Sequence, residues 1–112
     1  MAKPKRGRHA PAFILLSIAQ GPNHGLGILN VMNEMVPNNR LDTAVIYRTL
    51  KDLEKEGYIT SSWEDSGSGP RKKVYSITQE GYEKLDEFRK DIDKSLSNLK
   101  KFVEIHDSLS KV

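Results

Sequence analysis

Apolar residues recur along this chain in more than one rhythm, and each rhythm predicts a different element. Residues 12–19 are apolar nearly all round, which predicts a first helix buried on more than one side. Pro11 suits the first position of that helix, and Gly21-Pro22 stops it. Leu26, Leu29, Met32, Met35 and Val36 then follow at helical steps, with Ile28 and Val31 widening the stripe. They predict a second helix over 24–36, capped by Asn23 and ended by Pro37-Asn38-Asn39. Ile46, Leu50 and Leu53 share one face of a third helix, which Asp42 or Thr43 can cap and Gly57 can end.

After Gly57 the rhythm changes. Tyr58-Ile59-Thr60-Ser61-Ser62-Trp63 is rich in strand formers, and Val74-Tyr75-Ser76-Ile77 reads as a second short strand. The segment 64–70 between them, with Gly67, Gly69 and Pro70, is turn-forming, so the pair reads as a β-hairpin with a basic limb. From Thr78 the helical period returns through Leu85, Phe88, Ile92, Leu96, Leu99, Val103 and Leu109. Thr78 followed by Gly81 is no capping box, so that cap rests on the threonine hydroxyl alone. About thirty residues give roughly 45 Å of helix, longer than the body that precedes it. A stripe that overshoots its own domain needs a cover, and a symmetry mate supplies one.

The predicted fold is therefore mostly α with a small β-hairpin: a winged helix-turn-helix followed by one long C-terminal dimerisation helix. The organisation is a basic arm over 1–10, the winged helix-turn-helix domain over 11–77 and the dimerisation helix over 78–112. A chain of 112 residues holds one modest core. The run Phe13-Ile14-Leu15-Leu16 is too short to span a membrane, and no small-residue cleavage site follows it. A cytoplasmic protein with no membrane partner is expected. The absence of cysteine excludes disulfides, thiolate zinc sites and cysteine nucleophiles.

The net charge is +3, but its distribution matters more. Residues 1–77 hold eleven Lys/Arg against seven Asp/Glu, whereas residues 78–112 hold seven against eight. The excess gathers at Lys3, Lys5, Arg6 and Arg8, and at Arg71-Lys72-Lys73, a pattern that suits a polyanion. On the third helix the face opposite the apolar stripe carries Ala44, Tyr47, Arg48 and Lys51. A helix of this length fits the major groove with its N-terminal half toward the bases, and its N-terminus attracts phosphate.

Thr43, Ala44, Tyr47, Arg48 and Lys51 are thus candidate contacts to double-stranded DNA, with Arg71, Lys72 and Lys73 reaching phosphates from the wing. Competing roles exist for three of them. Tyr47 can instead pack on the wing, and Arg48 and Lys51 can instead pair with Asp52 or Glu54. Two recognition helices in a dimer predict a pseudo-palindromic operator.

Other classes find less support. His9, His24 and His106 share no metal-ligand spacing, and there is no HExxH, P-loop or GxGxxG, so neither an enzyme nor a metal or cofactor is expected. Glu80, Glu83, Asp86 and Glu87 lie beside Lys84, Lys90 and Lys94 at helical steps, as on a solvated face. A winged-helix protein-interaction module without specific DNA binding is the alternative.

The segment 42–59, Asp-Thr-Ala-Val-Ile-Tyr-Arg-Thr-Leu-Lys-Asp-Leu-Glu-Lys-Glu-Gly-Tyr-Ile, resembles the recognition-helix stretch of PadR-like transcriptional regulators. Trp63, the run from Gly69 to Thr78, Gly81, Leu85 and the earlier His24-Gly25 are similar to that family as well. Leu26-Gly27 departs from the aromatic-polar pair common there, and Val45 from the usual Ser or Thr. The single C-terminal helix resembles the short subgroup. The resemblance implies a homodimer built from the first and last helices, with Phe13, Leu16, Leu85, Phe88, Ile92, Leu96, Leu99 and Val103 at the interface. It also implies a repressor released by a small-molecule effector, for which Phe13, Phe88 and Phe102 are the candidate pocket residues, ahead of Trp63.

Overall fold

A computed structural model describes residues 9–36 and 42–109. The basic arm at Lys3 to Arg8 and the connection at 37–41 lie outside these residues. The order of elements is α1 (Ala10–Ala19), β1 (Asn23–His24), α2 (Gly25–Met35), α3 (Thr43–Lys55), β2 (Ile59–Ser66), β3 (Gly69–Ile77) and α4 (Gln79–Leu109).

Helix α1 is the hub. Its all-round apolarity lets it bury Ile14, Leu15 and Ile18 completely while α2, α3, α4 and β3 all pack on it. Ile28 and Met32 of α2, Ile46, Leu50 and Leu53 of α3, and Ile59 and Tyr75 of the sheet complete one core. Each fully buried Ile or Leu contributes about 1.5–3 kcal/mol by leaving water. The stripe of α2 centres on Ile28 and Met32, while Leu26 turns out to solvent.

The start of α2 differs from the sequence expectation. Asn23 does not cap a helix beginning at residue 24. Asn23 and His24 instead pair antiparallel with Tyr75 and Val74, making a third strand, and the helix begins at Gly25. The Asn23 side-chain oxygen accepts from the His24 amide at 2.9 Å, outside the helix. Two residues gain ladder bonds along the free edge of β3, a long-range partner that local propensity does not register. The sheet order is β1-β3-β2. The hairpin is also longer than its strand-forming residues indicate. Pairing continues through Glu64 opposite Lys72 to Ser66 opposite Gly69, with Gly67 at φ 78° in the turn.

Helix α4 has 31 residues and gives the molecule a long dimension of 64 Å against 32 and 27 Å. Its start is held at the joint between α3 and β2. The Thr78 hydroxyl donates to the Gly57 carbonyl at 2.7 Å and accepts from the Gly81 amide at 3.0 Å, so the hydroxyl cap is present as expected. Gly81 is buried with its Cα against the Tyr58 carbonyl and the Ile77 side chain. Beyond Ile92 the helix leaves the body. Leu96, Leu99, Phe102, Val103, Ile105 and Leu109 are all more than half exposed.

Gly81→Ala tests the joint. Alanine ordinarily stabilises a helix interior over glycine by roughly 0.5–1 kcal/mol. Here the added methyl meets the Tyr58 backbone, and a loss of about 1–3 kcal/mol in denaturant unfolding is expected.

Candidate nucleic-acid interface

The orientation of α3 follows from its cap and its buried stripe. Asp42 is the cap; its Oδ1 accepts from the Val45 amide at 2.9 Å. With Ile46, Leu50 and Leu53 inside, Thr43, Ala44, Tyr47, Arg48 and Lys51 all lie exposed on one outer face. Val45, where the sequence lacks a hydroxyl, is half-buried. Among the described residues neither Arg48 nor Lys51 forms an ion pair, so the competing pairing with Asp52 or Glu54 is not made.

Tyr47 combines both roles open to it. Its ring lies against the bare Cα of Gly25, where any side chain at residue 25 would collide with it. It nevertheless remains 45% exposed, at the edge of a cleft shared with the wing. Gly25 is therefore what allows the first turn of α2, the recognition face and the wing to approach one another.

The wing cations come to the same side of the molecule but differ in their partners. Arg71 Nε lies 3.3 Å from Asp65 Oδ1 across the hairpin, in an exposed pair that contributes little. Lys73 Nζ lies 3.8 Å from Glu54 Oε1 on α3 and 5.7 Å from the centroid of the Tyr75 ring. Lys72 stands opposite Glu64 in the ladder and forms no ion pair among the described residues.

Glu54, considered from the sequence only as a partner for Arg48 or Lys51, makes contacts that pattern reading missed. Its Oε2 accepts from the Ser61 hydroxyl at 2.6 Å, and its other oxygen faces Lys73, so one carboxylate ties the recognition helix to both strands of the wing. The only signal for this was its place directly after Leu53, in the turn before Gly57. Tyr75 sits next to this group. Burial raises its phenol above the ordinary value of 10.0, and the charges of Glu54 and then Tyr47 push the same way.

The expected interface residues on the other side fall into two sets. Phe13, Leu16, Leu85, Phe88 and Ile92 line one apolar groove of about 260 Å³ between α1 and α4. Leu96, Leu99 and Val103 stand free on the distal half of α4. Of the candidate effector residues, Phe13 and Phe88 share the groove, whereas Phe102 is 69% exposed and stacks on His106 at 6.2 Å between centroids. A single chain does not bring the three together. Among the described residues no group of three or more His, Cys, Asp or Glu could hold a metal ion, and no helix is long and apolar enough to cross a membrane.

A helical core in which α2 and α3 pack on α1, followed by a β-wing beside the outer face of α3, defines a winged helix-turn-helix protein. The chain belongs to the PadR-like family of transcriptional regulators, whose sequence profile matches residues 14–87.

Solved structures agree. A PadR-like transcriptional regulator from Bacillus cereus superposes with a TM-score of 0.72 at 26% identity, over 84% of this chain and 90% of that one. A conserved protein of unknown function, described as a potential transcriptional factor, gives 0.80 at 26% identity, over 100% and 99% of the two chains. Bacillus subtilis PadR in complex with operator DNA gives 0.66 at 28% identity, over 72% of this chain and 46% of that one. No curated protein matches the chain.

The raised Tyr75 value has a consequence for stability. The folded state holds this proton more tightly than the unfolded chain, so the contribution is whole below the ordinary tyrosine value and is lost as pH rises through the folded value. Urea denaturation at neutral pH and above 10.0 should show wild type losing more stability than Tyr75→Phe.

Proposed function

We propose that this protein is a homodimeric, sequence-specific regulator that binds double-stranded DNA. The observation that carries the reading is the outer face of α3: Ala44, Tyr47, Arg48 and Lys51 exposed together, the two cations without an ion-pair partner among the described residues, beside a basic wing. A homologue solved on operator DNA supports it.

Thr43 and Ala44 bring the N-terminus of α3 close to the duplex, where its dipole favours phosphate. Arg48 reads a base edge, its planar fork matching guanine. Lys51, Arg71, Lys72 and Lys73 meet phosphates, which fixes register without reading sequence. In this reading residues 11–77 bind DNA and 78–112 join two copies. The exposed stripe Leu96, Leu99 and Val103 supports that division, because an apolar helix face projecting into water is stabilised when a second copy covers it.

The finer reading is a repressor released by a small molecule. The groove holding Phe13 and Phe88 opens beside the proposed dimer seam, so an apolar effector bound there would change the spacing of the two recognition helices.

Binding of the purified protein to its own promoter region and to random DNA, at low and moderate salt, tests the core of this reading. Tight, promoter-preferring binding that weakens steeply with salt is expected. Absence of binding at either salt overturns it.

Two sets of variants sharpen the assignment. Arg48→Ala should cost about 1–3 kcal/mol on the promoter and relax base preference, whereas Lys72→Ala should weaken all sequences alike and lower the salt slope by about 1. Leu96→Asp should convert dimer to monomer in sedimentation, because an unpaired charge buried in the seam costs about 3–5 kcal/mol.

A further inference from the structure

Trp63 stands in the cleft between α3 and the wing, across from Lys73 in the ladder, and is 59% exposed. The cleft is open, about 550 Å³ in volume, and runs on to the exposed edge of Tyr47. Three cations, Arg71, Lys72 and Lys73, line it, and no carboxylate does.

The hairpin keeps its carboxylates out of this lining. Strand alternation sends Trp63 and Glu64 to opposite sides. A register shift follows, with Asp65 alone on β2 facing both Pro70 and Arg71 on β3. Both acids line a separate depression with Asn23, which Lys72 also borders, and Asp65 pairs with Arg71 at 3.3 Å in an exposed contact that water or a phosphate can replace. Glu54, beside Lys73, likewise lines no part of the cleft.

We propose that this cleft seats the sugar-phosphate backbone of duplex DNA at the edge of the groove that α3 enters. The Trp63 indole lies against a deoxyribose, and the wing cations take the phosphates on either side. The fit is chemical: a nucleic-acid strand alternates an apolar sugar face with an anion, and the cleft sets an apolar ring among cations. The inference rests on the DNA-binding reading above and adds a contact that cations alone do not make.

The chain has a single tryptophan, so its emission reports this site alone. Titration of the full chain with promoter and with random duplex should change the emission and protect it from acrylamide, in step with the bound fraction in a mobility-shift assay. Trp63→Ala should lower affinity for both duplexes about tenfold, the equivalent of losing one good apolar contact. It should leave promoter preference and salt slope unchanged, since no charge is removed. Trp63→Phe should restore most of the loss.

If DNA binds without protecting Trp63, or if Trp63→Ala binds as well as wild type, the inference fails while the DNA-binding reading stands. If neither duplex binds at all, both fail.

Discussion

Helix α3 can hold Arg48 and Lys51 toward solvent only because Ile46, Leu50 and Leu53 are sealed on its other side, against α1 and the sheet. Those positions recur at three- and four-residue steps, so burying them fixes the rotation of the helix about its axis. Helix α1 can serve as the common support because it has no polar face to keep wet. One hydrophobic constraint thus orients the outer face, and the Asp42 cap fixes where that face begins.

On this base a smaller set of polar contacts places the wing. Glu54 reaches from α3 to Ser61 on one strand and Lys73 on the other. Gly25 gives up a side chain so that the Tyr47 ring can lie across the start of α2. Lys73 therefore belongs to the wing's attachment as much as to its charge, and the cleft owes its shape to contacts that bind no ligand. Near the register shift Glu64 and Asp65 line a depression apart from the Trp63 cleft, with Lys72 reaching both and Arg71 paired to Asp65.

Helix α4 is anchored at one end and bare at the other. The Thr78 hydroxyl and the close approach of Gly81 to Tyr58 lock its first turn onto the joint between α3 and β2. The angle at which the helix leaves the body is thereby tied to the recognition helix. A rigid rod fixed at such a joint would transmit movement of its distal half to α3, which is the mechanical basis for the proposed effector control.

The residues of this chain by themselves determined the helices, the buried stripes of α1 and α3, the wing and the overlong last helix. Each is a periodic signal carried by neighbours in the chain, and hydrophobic burial obeys that period wherever the helix packs. The exposed face of α3 was legible for the same reason, as the complement of Ile46, Leu50 and Leu53. Contacts between distant segments were not legible. Asn23 read as a helix cap became a strand residue because β3 offered a free edge fifty residues on, at Tyr75 and Val74. The Glu54 clasp, the Gly25–Tyr47 contact and the acid-free cleft at Trp63 likewise depend on which strands and helices come to lie side by side. Only tertiary structure decides that, because the partners of a hydrogen bond or a ring contact are chosen by proximity in space and leave no period in the sequence.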